Sequence, residues 1–393
     1  MRRSKPLTLA CLSLLLGASL AGAPAAAARA EAAPVAACPA GQATLRGTCV
    51  PSDSAEFVRD RVRDALARYK LTAAMAEVWI DGERVTEAAA GQAMTGVPAT
   101  TDMRFRIGAV SIPYLTTALL RIVDRGGASL DDKLSRRRPD VPHANEITLG
   151  MLASTTSGYA DYVRDPKFIA DLYKNPFRNW TAPELVEISV SKPLVRAPGS
   201  GFAYSHANWV LLGDVISRID GRPLAEVMEA DVLRPMGLDA TDIPTTAEIP
   251  APVLHGFDNE RGVFEDATYW NPSWTLAPGA VMTGTLGDMA KSLTAIGEGD
   301  LLSPESHRKQ LAPVSQIDPN TSFALGLAVQ NGWILQNPSF AGYAGAVAYL
   351  PSKRIAVATV ATQGLGSTVQ NAASAFLAEI ANHLAPEAAL KAE

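Results

Sequence analysis

The 393-residue chain is 47% hydrophobic, 19% charged and 6% aromatic, with three cysteines and a formal net charge of −5. This composition suits one large globular domain or two ordinary ones. It excludes a disulfide-dense miniprotein, a collagen-like repeat and a mostly disordered chain.

The apolar residues are concentrated at the front. Arg2, Arg3 and Lys5 precede an apolar run from Leu7 to Leu20, and Ala28-Arg29-Ala30 supplies a small-x-small site. That order predicts a secretory signal peptide over 1–30, cleaved near Ala30, because the run is short for a bilayer span. A membrane anchor is the other reading of the same run. Removing the leader takes away four basic residues and no acidic one. The mature chain then carries 31 Lys+Arg against 40 Asp+Glu, a net charge of −9. No basic stripe is left for nucleic acid, and no polybasic patch for stable membrane attachment. The expected location is outside the cytosol, secreted or in the periplasm and cell envelope. There Cys38 and Cys49 are expected to form a structural disulfide within a linker over 31–53. The five histidines show no ligand spacing, so neither a metal nor another cofactor is expected.

The predicted elements follow in order. Ser54 is read as the cap of a helix with apolar positions Phe57, Val58, Val62 and Leu66. Ala74–Ile80 and Arg84–Ala88 read as strands joined by the hairpin signal Asp81-Gly82. Residues 110–125 are helical by period, ending at Gly126-Gly127. A Pro/Gly-rich stretch with short helices follows over 128–205, then helices over Asn208–Ile219 and Leu224–Leu233. Phe323–Gln330, Ala344–Leu350 and Ile355–Thr362 read as strands, and Val369–His383 as a closing helix. Strands near both ends with helices between them predict an α/β sheet domain over 54–107 and 275–385, with a mostly helical domain over 108–274.

Several short segments stand out in order along the chain. They are Phe105-Arg106-Ile107-Gly108, Ile147-Thr148-Leu149 with Thr156-Ser157-Gly158, and Pro198-Gly199 before Phe202-Ala203-Tyr204-Ser205. Leu233-Arg234-Pro235-Met236-Gly237-Leu238 and Gly279-Ala280-Val281-Met282-Thr283 complete the set. The ordered set resembles the penicillin-recognising serine hydrolases, the family of class C β-lactamases, DD-carboxypeptidases and related esterases. The resemblance covers roughly residues 54–383 and implies a β-lactamase/transpeptidase-like fold, an antiparallel sheet flanked by helices with a helical insertion.

The family's chemistry needs a serine three residues before a lysine at a helix start, so that the amine faces the hydroxyl it deprotonates. It also needs a Tyr-x-Asn on the opposite wall and a Lys/His-x-Gly strand that lines the oxyanion hole. Here the nucleophile position is Ala109 and the base position Ile112. The second motif reads Tyr204-Ser205-His206, and the third Tyr343-Ala344-Gly345. A methyl group cannot attack a carbonyl, and an isoleucine cannot take a proton.

Ser111 is the fallback nucleophile. It lies two residues past Ala109, about 200° round a helix, and its i+3 partner is Tyr114. Two literal S-x-x-K strings, Ser189–Lys192 and Ser306–Lys309, lack the upstream pattern and are expected to be solvated surface. Tyr204, His206, Trp274 and Tyr343 are the candidate ligand contacts, with Trp270 and Tyr269 possible partners at the rim. The expectation is an exported pseudoenzyme that binds a peptidoglycan-type peptide, another small molecule or a partner. The alternative is an active carboxypeptidase, β-lactamase or esterase with a rearranged site.

Overall fold

The computed structural model describes residues 38–367 and 371–391. The predicted leader, its cleavage point and the first part of the predicted linker lie outside the described residues, as does Val369. Gln42–Leu45 and Thr48–Pro51 form a small antiparallel hairpin, and a Cys38–Cys49 disulfide closes it. A stretch that reads as linker by composition is thus partly folded.

The helix Ser54–Arg68 follows directly. Asp53, not Ser54, is its N-cap residue, and Ser54 Oγ instead donates 2.6 Å to Pro51 O. Asp81 and Gly82 both take positive φ (55° and 76°), as the predicted two-residue hairpin turn requires. That turn joins Leu71–Ile80 to Glu83–Met94, both longer than their sequence signals.

These two strands complete one mixed-origin sheet. From edge to edge its order is Ser315–Gln316, Ser322–Phe323, Ala328–Gln330, Trp333–Gln336, Tyr343–Leu350, Ile355–Gln363, Leu71–Ile80, Glu83–Met94 and Val97–Pro98. Every pairing in it is antiparallel. The C-terminal strands lie beside the N-terminal ones, so the sheet is closed from the two ends of the chain. Tyr343–Leu350 is buried at every position because helices cover both of its faces.

Ser54–Arg68 and Ala372–Leu384 pack on one face, around Val58, Val62, Phe376 and Ile380. Leu286–Glu298 covers the other face and merges with the core of the helical half, where Leu115, Leu119, Trp209 and Leu212 meet. The helical segments over 108–274 therefore share one continuous hydrophobic core with the sheet.

The helix Ser111–Asp124 runs through that core, with eleven of its fourteen residues buried. A short 3-10 turn over Gly108–Val110 leads into it. The predicted helix over Leu224–Leu233 is α-helical to Met228 and then widens into a π-turn over Glu229–Leu233. No helix among the described residues is long and apolar enough to cross a membrane.

Candidate active site

The strand Phe105–Arg106 delivers Gly108 and Ala109 to the start of the central helix, and pairing with Thr283–Gly284 fixes it there. Gly108 has φ +50°, and a Cβ on it would come within 2.8 Å of Pro338 Cβ. Ala109 is half-buried and packs against the core with its methyl group. Ile112, at the base position, is 1% exposed. The fallback Ser111 is fully buried, and its Oγ donates 2.9 Å to Gly108 O, one turn back. That bond ties its proton to the backbone and leaves the hydroxyl no base. Tyr114, its i+3 neighbour, is also fully buried, and burial pushes its phenol well above the ordinary value.

The second wall comes from the start of the helix His206–Asp220. Tyr204 stands edge-on to His206 with ring centroids 5.2 Å apart. Burial raises the Tyr204 phenol above its usual range, so it keeps its proton at neutral pH. His206 does more than fill an asparagine's volume. Its Nδ1 lies 3.0 Å from Asp161 Oδ1, and its backbone N–H donates 3.1 Å to the same oxygen. When Nδ1 donates to Asp161, Nε2 is the ring nitrogen left for a ligand. This Asp–His pair can orient and polarise water or a polar ligand group.

Beyond His206 the wall is aromatic. Trp274 lies 6.2 Å from His206 and stacks on Phe340 at 5.6 Å and 26°. Tyr162 closes the base 5.7 Å from His206, with its hydroxyl donating 2.6 Å to Trp274 O. Trp270 and Tyr269 belong elsewhere, Trp270 against Tyr173 and Tyr269 against His255.

The third motif differs most from a substrate-gripping strand. Tyr343 is 3% exposed and its hydroxyl donates 2.6 Å to Leu254 O, so it is turned into the protein and offers no free polar group to a ligand. Gly345 permits a close approach, but the chain itself makes that approach. Gly345 N–H donates 2.8 Å to Pro338 O, and a Cβ on Gly345 would lie 3.0 Å from Pro338 Cγ. Ser339–Phe340 then pairs antiparallel with Tyr343–Ala344. Pro338 therefore sits between Gly108 and Gly345, and the following hairpin occupies the strand edge beside the degenerate motif. Phe340 is only 4% exposed.

Ring contacts join Tyr204, His206, Trp274 and Phe340 into one cluster, and Pro338 lies against Gly108, next to Ala109 in the chain. Sequence reasoning missed four residues here, Asp161, Tyr162, Pro338 and Phe340. An acidic residue three past Thr156-Ser157-Gly158 was the only available signal for Asp161. The S-x-x-K strings are corrected in part, because Ser189 is fully buried and Ser306 is 2% exposed. Ser306 Oγ donates 2.6 Å to Asp124, while Lys192 pairs with Asp165 and Lys309 with Glu305, so neither string forms a catalytic dyad. Among the described residues no group of three or more His, Cys, Asp or Glu is placed to hold a metal ion.

A doubly covered antiparallel sheet, a helix start at Ala109 and facing motifs at Tyr204 and Gly345 define a β-lactamase-like serine hydrolase scaffold. The family model described as Beta-lactamase matches residues 58–382, and the chain belongs to this family. It is 32% identical over 308 residues to Esterase EstB of Burkholderia gladioli, covering 67% of this chain and 76% of that protein. It is 26% identical over 345 residues to the D-alanyl-D-alanine-carboxypeptidase/endopeptidase AmpH of Escherichia coli K12, covering 79% and 84%. Among solved structures it is similar to a D-stereospecific amidohydrolase from Streptomyces sp. The TM-score is 0.74 and the identity 22%, covering 84% of this chain and 98% of that one. That last likeness concerns the fold alone.

Proposed function

We propose that this protein is an exported, non-hydrolytic member of its family that binds a cell-envelope ligand, with peptidoglycan-type peptides the leading class. One observation carries the reading. The positions from which the family supplies nucleophile and base hold the methyl of Ala109 and the buried side chain of Ile112. Removing one member of a catalytic pair in comparable hydrolases costs several orders of magnitude, and removing the second adds little because the two act as a unit. The nearest alternative hydroxyl, on Ser111, is buried and donates to a carbonyl. The ligand class rests on the name of the AmpH relative, a D-alanyl-D-alanine carboxypeptidase, and on the surviving wall of Tyr204, His206 and Trp274. A ligand on this wall meets aromatic faces and an Asp-oriented imidazole, whereas the strand edge at Gly345 is reached only by displacing Pro338.

The test is covalent labelling of the purified chain with a fluorescent penicillin and with a fluorophosphonate. No adduct is expected with either probe. An adduct that Ser111→Ala abolishes would establish a relocated nucleophile and overturn the proposal. Calorimetric titration with a D-Ala-D-Ala-terminated peptide tests the ligand class. Binding weakened at least fivefold by Trp274→Ala is expected, and absence of binding removes that class.

A further inference from the structure

Tyr343 stands where the family carries a lysine or histidine, and its hydroxyl is spent on Leu254 O. Arg106 is the basic side chain beside it. That guanidinium is 3% exposed, its Nη2 donates to Ala247 O, and its Nε and Nη1 lie below the surface. Neither residue presents an accessible cation to a carboxylate.

The charge at the second motif has the opposite sign. The Asp161 side chain is 5% exposed, and His206 is its one ion-pair partner among the described residues. Burial is the main cause of the raised Tyr162 and Tyr204 phenols, and the Asp161 carboxylate adds to it. No basic side chain offsets that charge at either ring. With His206 neutral the pair carries one negative charge, and with His206 protonated it carries none. In neither form does it attract an anion.

His206 carries this chemistry to the surface, with 21% of its side chain exposed. Nδ1 faces Asp161, whereas Nε2 has no partner in the protein and is not buried, so it meets solvent. When Nδ1 donates to Asp161, Nε2 is an acceptor. Tyr204 and Trp274 are half-buried, with ring centroids 5.2 and 6.2 Å from the imidazole. Aromatic faces attract cations within about 6 Å. A positively charged N–H donor therefore suits the imidazole, the carboxylate behind it and the rings together. A carboxylate would meet a lone pair and a like charge.

We infer that this wall selects the ammonium end of its ligand: a primary ammonium, such as the free amino group of a peptide, donates to His206 Nε2 with Asp161 as its counter-charge, flanked by Tyr204 and Trp274. The inference rests on the ligand-binding reading of the site. Asp161 is a positioning residue in it, acting through His206.

Calorimetric titration of the full chain at neutral pH compares 2-phenylethylamine, there an ammonium, with 3-phenylpropanoate, a carboxylate of similar size. Saturable binding of the amine is expected, at least tenfold tighter than that of the carboxylate. Raising the salt from about 0.05 to about 0.5 M weakens it at least threefold. His206→Asn and Asp161→Asn each weaken amine binding at least fivefold, and Asp161→Asn leaves the carboxylate bound no more weakly than before. The His206 ring resonances, identified by their loss in His206→Asn, shift as the amine is added. Three results overturn the inference, whether or not Asp161→Asn folds. They are no saturable amine binding, a carboxylate bound as tightly as the amine, and amine binding that His206→Asn leaves unchanged. Loss of the amine with the D-Ala-D-Ala-terminated peptide still bound overturns this inference alone. Binding of the amine without that peptide supports it and removes only the peptide class.

Discussion

Restoring the family's base is the most direct probe of how far the cleft has closed. Ile112 is 1% exposed, and its Cγ2 would lie 3.3 Å from a Cβ placed on Gly326. Next to it on the helix, Thr116 Oγ1 is already committed, donating to Leu325 O at 2.9 Å. Ile112→Lys therefore puts an ammonium where neither water nor a carboxylate is at hand. Full burial lowers a lysine pKa by about 3–5 units, or about 4–7 kcal/mol at about 1.36 kcal/mol per unit. The long side chain can lead its charge part of the way outward, so a loss of at least about 3 kcal/mol is expected at pH 7.

The sign with pH follows from the lowered folded pKa. Between that value and the unfolded pKa near 10.4, the unfolded chain holds the proton and the folded chain does not. Stability of the variant relative to the wild type should therefore rise as pH goes from about 7 to 10. Urea unfolding of both proteins at the two pH values measures this. A loss below about 1 kcal/mol at neutral pH, with no pH dependence, would show position 112 open to solvent and refute the closed-cleft reasoning.

Two further outcomes are expected. Asp161→Ala leaves the backbone N–H groups of His206 and Val163 without their acceptor (3.1 and 3.4 Å) and should cost about 2–3 kcal/mol by urea unfolding, with Asp161→Asn recovering part of it. Glu77 is 2% exposed, and its desolvation raises its pKa despite the 2.7 Å bond from Trp79 Nε1 and the 3.1 Å bond from Arg84. A raised carboxyl favours folding below the ordinary glutamate value near 4.3 and loses that contribution as pH rises through the folded value. Glu77→Gln should thus gain on the wild type between about pH 4.5 and 7.5 in urea midpoints, and a variant that falls behind over that range contradicts the assignment.

Some of the molecule was written in local patterns. Asp81-Gly82 specifies a turn whose twist joins two antiparallel strands, whatever lies beyond them. The 3.6-residue period over 110–125 specifies a buried helix because an apolar stripe has to be covered. Strand ends were less legible. Glu83–Met94 continues well past its signal because pairing with Leu71–Ile80 supplies backbone partners to residues whose own preference is weak. Phe323–Gln330 reads as one strand but folds as two, Ser322–Phe323 and Ala328–Gln330, which pair with each other around Gly326 at φ +82°.

The same division holds at the site. Sequence alone determined what stands at the family's nucleophile and base positions, because Ala109 and Ile112 lack a nucleophilic oxygen and a basic nitrogen in any conformation. Tertiary structure decided what stands in its place. Asp161 reaches His206 across 45 residues, and Pro338 fits between Gly108 and Gly345 because neither glycine carries a Cβ. Side-chain identity is a property of one position, whereas a contact depends on where two distant segments are held. Only the folded sheet and its central helix bring those segments together.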